Sequence, residues 1–322
     1  MAYLEIIAGL VLLVVAGDIM IRGAVSIAEN FGLSKLTIGL TVIAFGTSAP
    51  ELAIGIDAAI TGAPTLALGN VVGSNIANIL LVMGLPAIFY PFNCNSSEIK
   101  RNYYIMLGGT ALFILLCLIS PLSIFHAALL LILLCGYLLT SWKKGRLDND
   151  QFAQDRLIAE QAYEDLAELP EEPLNTTRSS IYVFFGLIGL ISGAHILVDG
   201  CVEVAQSFQI SEAIIGLTII AIGTSLPELV TAILAVRHGH GDVALGNVIG
   251  SNIFNLYAVM GVTAMVADVP VPESFLQVDL WMMMLTSAAL IPFIVWKIRF
   301  NRVIGIAFTG TYIVYLWSLS LS

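Results

Sequence analysis

The sequence predicts an all-α polytopic membrane protein of ten transmembrane helices, arranged as two inverted-topology five-helix repeats. Three observations carry that prediction. Of the 322 residues, 58% are hydrophobic and only 11% charged, with a mean hydropathy of +0.93, whereas a soluble globular chain carries about 25% charged residues. Ten segments are apolar over the roughly 20 residues that a bilayer-spanning helix needs. The stretch around Glu51 returns almost unchanged around Glu228, displaced by 177 positions. So much apolar surface calls for lipid, which excludes a soluble enzyme of one or two domains. A net charge of −10 and a pI near 4.7 argue against nucleic acid as a partner. Cys94, Cys117, Cys135 and Cys201 show neither paired nor metal-ligand spacing and read as packing residues.

The expected spans are 3–27, 36–60, 66–91, 103–119, 122–141, 181–206, 213–236, 243–267, 280–297 and 302–320. The first reads as a retained helix, not a cleavable signal, because it carries Glu5 in place of a basic leading region. With the spans numbered alternately, Lys35, Lys100, Arg101, Lys143, Lys144, Arg146, Arg156, Arg178, Arg237, Lys297, Arg299 and Arg302 fall on one face. The positive-inside rule makes that face cytoplasmic and turns both termini outward. Residues 1–141 and 180–322 form the two expected five-helix repeats, joined by an acidic cytoplasmic linker over 142–179. Within it, Phe152, Leu157, Ile158, Leu166 and Leu169 outline a short amphipathic helix.

The repeat is visible residue by residue. GLTVIAFGTSAPEL from Gly39 and ALGNVVGSNIANILLVMG ending at Gly84 match GLTIIAIGTSLPEL from Gly216 and ALGNVIGSNIFNLYAVMG ending at Gly261, without a gap. Roughly half of the aligned positions are identical. An odd number of spans per half inserts the second copy upside down, a pattern of secondary transporters with a midplane site.

Two acids stand inside this repeat. Glu51 and Glu228 lie about two-thirds along apolar helices, where an acid costs on the order of 2.5–3.5 kcal/mol on insertion scales and marks a functional position. Each follows a proline, Pro50 or Pro227, whose missing N–H frees the carbonyl four residues earlier, at Gly46 or Gly223. Thr47, Ser48, Thr224 and Ser225 add hydroxyls on the same turn, so the environment is all oxygen and suits hard cations such as Ca²⁺ and Na⁺. The following helix supplies Ser74 and Asn78, mirrored by Ser251 and Asn255, each pair at i and i+4 on one face. Gly69, Gly73, Gly246 and Gly250 let that helix approach its neighbour. Asn75 and Asn252 point off this face and read as packing residues.

GTSxPEL followed by ALGNxxGSNIxN, present twice in ten spans, resembles the calcium:cation antiporter superfamily, in particular the prokaryotic sodium/calcium exchanger branch. The resemblance implies four cation positions in a diamond between the second, third, seventh and eighth helices. It assigns Ca²⁺ to Glu51, Glu228, Thr47 and Thr224. Flanking Na⁺ sites fall to the carbonyls of Ala44 and Ala221 with Ser48, Ser74, Ser225 and Ser251, and the middle position to Asn78 and Asn255. Some members of the superfamily carry Asp at the position of Asn255, an ionisable group that this chain lacks. The implied activity is exchange of Ca²⁺ for Na⁺, not enzymatic catalysis. Its implied setting is a bacterial inner membrane, with lipid and the transported ions as partners, no prosthetic group and no obligate protein partner. The alternatives are H⁺ or K⁺ as counter-ion, a cation channel, or an intramembrane protease.

The protease alternative rests on Gly239-His240-Gly241-Asp242, a GxGD whose mirror is Gly62-Ala63-Pro64-Thr65; Thr65 and Asp242 read instead as helix N-caps. Asp18 and Arg22 read as a structural i, i+4 ion pair. Asp57 has no acidic mirror. The first and sixth helices, with Gly17, Gly23, Gly193 and Gly200, are expected to slide as a gate.

Overall fold

A chain immersed in lipid satisfies its backbone N–H and C=O groups internally, and helices do so within one segment. The computed structural model describes residues 2–31, 39–93, 97–119, 121–147, 174–208 and 221–319. Within them the only extended pairing is two isolated bridges, Phe92 with Phe300 and Leu122 with Val269, which tie loops together. The linker's amphipathic helix and the readings at Lys35, Cys94 and Arg156 lie outside the described residues.

In chain order the helices are α1 (Ala2–Phe31), α2 (Gly39–Thr47), α3 (Ala49–Ile60), α4 (Pro64–Phe89), α5 (Ser97–Cys117), α6 (Ile124–Leu147) and α7 (Thr176–Ser207). They continue with α8 (Ala221–Thr224), α9 (Leu226–Arg237), α10 (Gly241–Val266), α11 (Phe275–Val295) and α12 (Arg302–Leu319). Among the described residues seven helices are long and apolar enough to cross a membrane, and α2 with α3 makes an eighth if that bent pair is one span. The expected span 103–119 falls on α5, whose first turns carry Glu98, Lys100, Arg101 and Asn102. The expected span 213–236 is described only from Ala221 onward.

The helical ends around the linker extend further than hydrophobicity alone indicated. α6 runs to Leu147, past the apolar segment. α7 opens at Thr176, where the Asn175 side-chain oxygen accepts the Arg178 N–H at 2.9 Å, a side-chain N-cap. Thr65 and Asp242, by contrast, stand inside their helices, whose caps are Ala63 and His240. Backbone geometry explains this: Gly62 and Gly239 take φ of +81° and +77°, a left-handed turn that sets the helix start two residues earlier.

Burial separates the helices into two classes. In α4 and α10, 83% and 89% of the apolar window is buried, against 33% in α1 and 28% in α7. The two heavily buried helices therefore form the centre, and α1 and α7 present apolar side chains such as Leu4, Ile7, Phe184 and Phe185 outward. α1 packs on α7 more extensively than on any other helix. A Cβ added at Gly9 would lie 2.6 Å from the Leu197 nitrogen, and one at Gly200 would lie 2.8 Å from the Ala2 carbonyl oxygen. Gly23 and Gly193 likewise face the opposite backbone, whereas Gly17 faces Leu234 and Val230 of α9. Most of these glycines thus serve close packing between α1 and α7. A polar tie joins this pair to α9. The expected Asp18–Arg22 ion pair forms at 2.9 Å, and the other Asp18 oxygen meets His238 Nε2, also at 2.9 Å.

Candidate cation-binding site

The prolines break the helix where the sequence placed them. α2 and α3 meet at Ser48 with a bend of 47°, and Ser48 takes φ −84°, ψ 6°. Ser225, at the same place in the second half, takes φ −90°, ψ 4°. The break falls before the proline, so Pro50 and Pro227 occupy the first turn of the next helix, where no N–H is needed. Glu51 and Glu228 consequently lie in the first turns of α3 and α9. There the free backbone N–H groups and the positive end of the helix dipole favour a carboxylate even in a dry interior.

The carbonyl ends of α2 and α8 face the same breaks. Ala44 is buried, and its carbonyl accepts the Ser48 N–H at 3.0 Å. Ala221 opens the short α8, which ends at the half-buried Thr224.

Glycine brings the neighbouring helix in. A Cβ at Gly250 would stand 2.6 Å from both the Leu40 carbonyl oxygen and the Ala44 Cβ, so only glycine lets α10 lie directly on α2. That approach sets the Ser251 hydroxyl 3.4 Å from Thr47, and both hydroxyls face the Glu228 carboxylate. On the other side, the Ser74 hydroxyl donates to Glu51 Oε1 at 3.1 Å and stands 3.5 Å from Ser225. Asn255 Nδ2 donates to Ser74 Oγ at 3.2 Å. Both glutamates, Thr47, Ser48, Ser74, Asn78, Ser225, Ser251 and Asn255 are all buried, and the two carboxylates are close enough to repel one another. Ser48 lies at the break itself. Asp57 is exposed and apart from this cluster.

Six buried oxygens of these residues have no well-formed hydrogen bond: Glu51 Oε2, both carboxylate oxygens of Glu228, Asn78 Oδ1, Asn255 Oδ1 and Ser48 Oγ. Leaving such groups unsatisfied costs about 1–3 kcal/mol each, and more for a charge. All are oxygen, and among the described residues no cluster of three or more His, Cys, Asp or Glu exists. This donor set fits a hard cation, for which acceptor-only oxygens replace hydration water.

Four further residues shape the site, and the helical periodicity overlooked them. Asn75 Oδ1 accepts from Asn255 Nδ2 at 3.1 Å, and Asn252 Oδ1 accepts from Asn78 Nδ2 at 3.0 Å. Asn75 and Asn252 are therefore polar neighbours of the site, not packing residues alone. Thr47 donates to Asn247 Oδ1 at 3.3 Å, Asn247 donates to Thr231 at 3.0 Å, and Thr231 donates to the Glu228 carbonyl at 2.9 Å. The signal for Asn75 and Asn252 was their recurrence as buried amides at the repeat spacing. For the Asn247 relay the signal was weaker, since Thr231 is mirrored by Ile54.

Apolar helices define a polytopic membrane protein, and its buried oxygens have the chemistry that suits a hard cation. Comparison places it more closely: the sodium/calcium exchanger protein family matches residues 1–143 and 179–321. The chain belongs to that family. It is 38% identical to the putative antiporter CaxA of Alkalimonas amylolytica, over 99% of this chain and 98% of that protein. It is 36% identical to the inner membrane protein YrbG of Escherichia coli (strain K12), over 97% and 94%. A solved structure of the sodium-calcium exchanger NCX_Mj, soaked with Na⁺ and Sr²⁺, superposes with a TM-score of 0.83 at 31% identity, over 99% of this chain and 98% of that one. The fold is thus the all-helical membrane fold of that exchanger.

Proposed function

We propose that this chain is a secondary antiporter that exchanges Ca²⁺ for Na⁺ across the membrane by alternating access. The observation that carries the reading is the group of buried, unpartnered oxygens around Glu51 and Glu228. Two carboxylates neutralise one Ca²⁺ or are shared among several Na⁺. In this reading Glu51, Glu228, Thr47 and Thr224 hold Ca²⁺. Ala44, Ser48, Ser74, Ala221, Ser225 and Ser251 hold the flanking Na⁺ ions, and Asn78 and Asn255 line the middle.

Around that site we place ten spans in two inverted five-helix repeats, 1–141 and 180–322, with the acidic linker cytoplasmic and both termini outside. Family membership and the likeness to an inner membrane protein support a bacterial inner-membrane location. The mobile unit is the α1–α7 pair, whose mutual packing exceeds its packing on the centre. The pair slides past the buried helices to open the site first to one side and then to the other.

Calcium flux into proteoliposomes tests the reading. An outward Na⁺ gradient is expected to drive ⁴⁵Ca²⁺ uptake, whereas K⁺ or pH gradients of the same size are not. Uptake that ignores Na⁺ and follows K⁺ or pH would transfer the coupling to those ions.

A further inference from the structure

Asn78 and Asn255 contribute side-chain oxygens to the candidate site, but an amide is ambiguous. Its oxygen attracts a cation and its NH₂ repels one, and a half-turn about the last side-chain bond exchanges the two at almost no steric cost. A cation site built on amides therefore requires something that fixes their orientation.

In this chain the fixing groups are present and unambiguous. Asn252 Oδ1 accepts from Asn78 Nδ2 at 3.0 Å, and Asn75 Oδ1 accepts from Asn255 Nδ2 at 3.1 Å. Asn75 and Asn252 are oriented in turn by backbone carbonyls, which can only accept. Asn75 Nδ2 donates to the Asn252 carbonyl at 3.4 Å, and Asn252 Nδ2 donates to the Asn75 carbonyl at 3.3 Å. Every amide in the set of four thus has one allowed orientation. The consequence appears at the far end: Asn78 Oδ1 and Asn255 Oδ1 are buried with no hydrogen-bond partner. All four side chains are at most 1% exposed, so bulk solvent does not reach them. Packing alone would be met as well by leucine at 75 and 252.

We propose that Asn75 and Asn252 are positioning residues that hold the amides of Asn255 and Asn78 with oxygen toward the cations, making each a pure acceptor. The inference rests on the exchange reading above. Each lock comes from the other half of the chain, so the orientation of each site amide depends on contact between α4 and α10.

A double-mutant cycle tests it. Asn252→Ala frees the Asn78 amide to turn. The apparent KM for Ca²⁺ in Na⁺-driven uptake is expected to rise roughly tenfold, the scale of one lost charge-assisted contact, while Vmax changes little. A carboxylate has two equivalent oxygens and no wrong orientation. In the Asn78→Asp background, Asn252→Ala is therefore expected to leave KM where Asn78→Asp alone sets it. The pair Asn75→Ala and Asn255→Asp repeats the test from the other side, should Asn252→Ala fail to fold. An unchanged KM in Asn252→Ala, or the same rise in both backgrounds, would overturn the proposal and leave these residues a packing role. Absence of Na⁺-driven uptake by the unsubstituted protein would instead overturn the exchange reading, so the two failures are distinct.

Discussion

Glu51→Gln and Glu228→Gln are each expected to abolish Ca²⁺ transport, although each substitution keeps the shape of the side chain. Both carboxylates are fully buried, so water screens neither. A bound Ca²⁺ facing one carboxylate in place of two is a half-compensated buried charge. Removing one partner of a buried charge pair costs about 3–5 kcal/mol, which is roughly two to three and a half orders of magnitude in affinity. The two substitutions are not expected to be equivalent in Na⁺ binding. Glu51 accepts a hydrogen bond from Ser74 at 3.1 Å, whereas the Thr47 and Ser251 hydroxyls face Glu228 without a well-formed hydrogen bond. ⁴⁵Ca²⁺ uptake by each reconstituted variant, with folding checked by size-exclusion profile, reads the result. Near-normal flux in either variant would remove that glutamate from the site.

The second large effect is obligatory coupling. Vesicles loaded with ⁴⁵Ca²⁺ are expected to release it into medium containing Na⁺ or unlabelled Ca²⁺, and to retain it in medium containing neither. The reason is again the pair of dry carboxylates: once emptied, the site would have to change sides with two uncompensated charges. The penalty is several kcal/mol per buried ion, and each 1.36 kcal/mol on a barrier is tenfold in rate. Release into ion-free medium should therefore be slower by about two orders of magnitude or more. Equal release in all media would mark a pore or a leak in place of exchange.

The site was legible in the sequence to the extent that its residues break the apolar pattern. Glu51 and Glu228 stand out because acids are costly at that depth, and Ser48 and Ser225 because a proline follows two residues later. Their recurrence 177 positions on turned isolated oddities into one constellation. The helical face drawn through Ser74 and Asn78 was too narrow. Asn75 points off that face, yet α4 and α10 cross here, so the flank of each helix meets the other and Asn75 reaches Asn252 and Asn255. Periodicity within one helix carries no information about such a crossing. The backbone also departs from an ideal helix at the same points, with π-helical segments at Asn78–Val82 and Asn255–Val259. An extra residue per turn shifts every later face, and nothing in the side-chain pattern announces it. Glycine as a sign of close approach holds at Gly250 but not at Gly73, where an added Cβ would meet nothing within 4 Å, nor at Gly69, where it would meet only Phe275 at 3.6 Å. Gly23, Gly193 and Gly200 face the opposing long helix, which binds α1 closely to α7.

Binding stoichiometry tests the central claim most directly, because one site shared by the two halves differs in count from two separate sites. Isothermal titration of the purified protein with Ca²⁺ in Na⁺-free buffer should give one Ca²⁺ per chain. Na⁺ should displace that ion competitively, and either Glu51→Gln or Glu228→Gln should remove it. Two Ca²⁺ per chain, with each substitution removing only one, would contradict a shared site built from both halves.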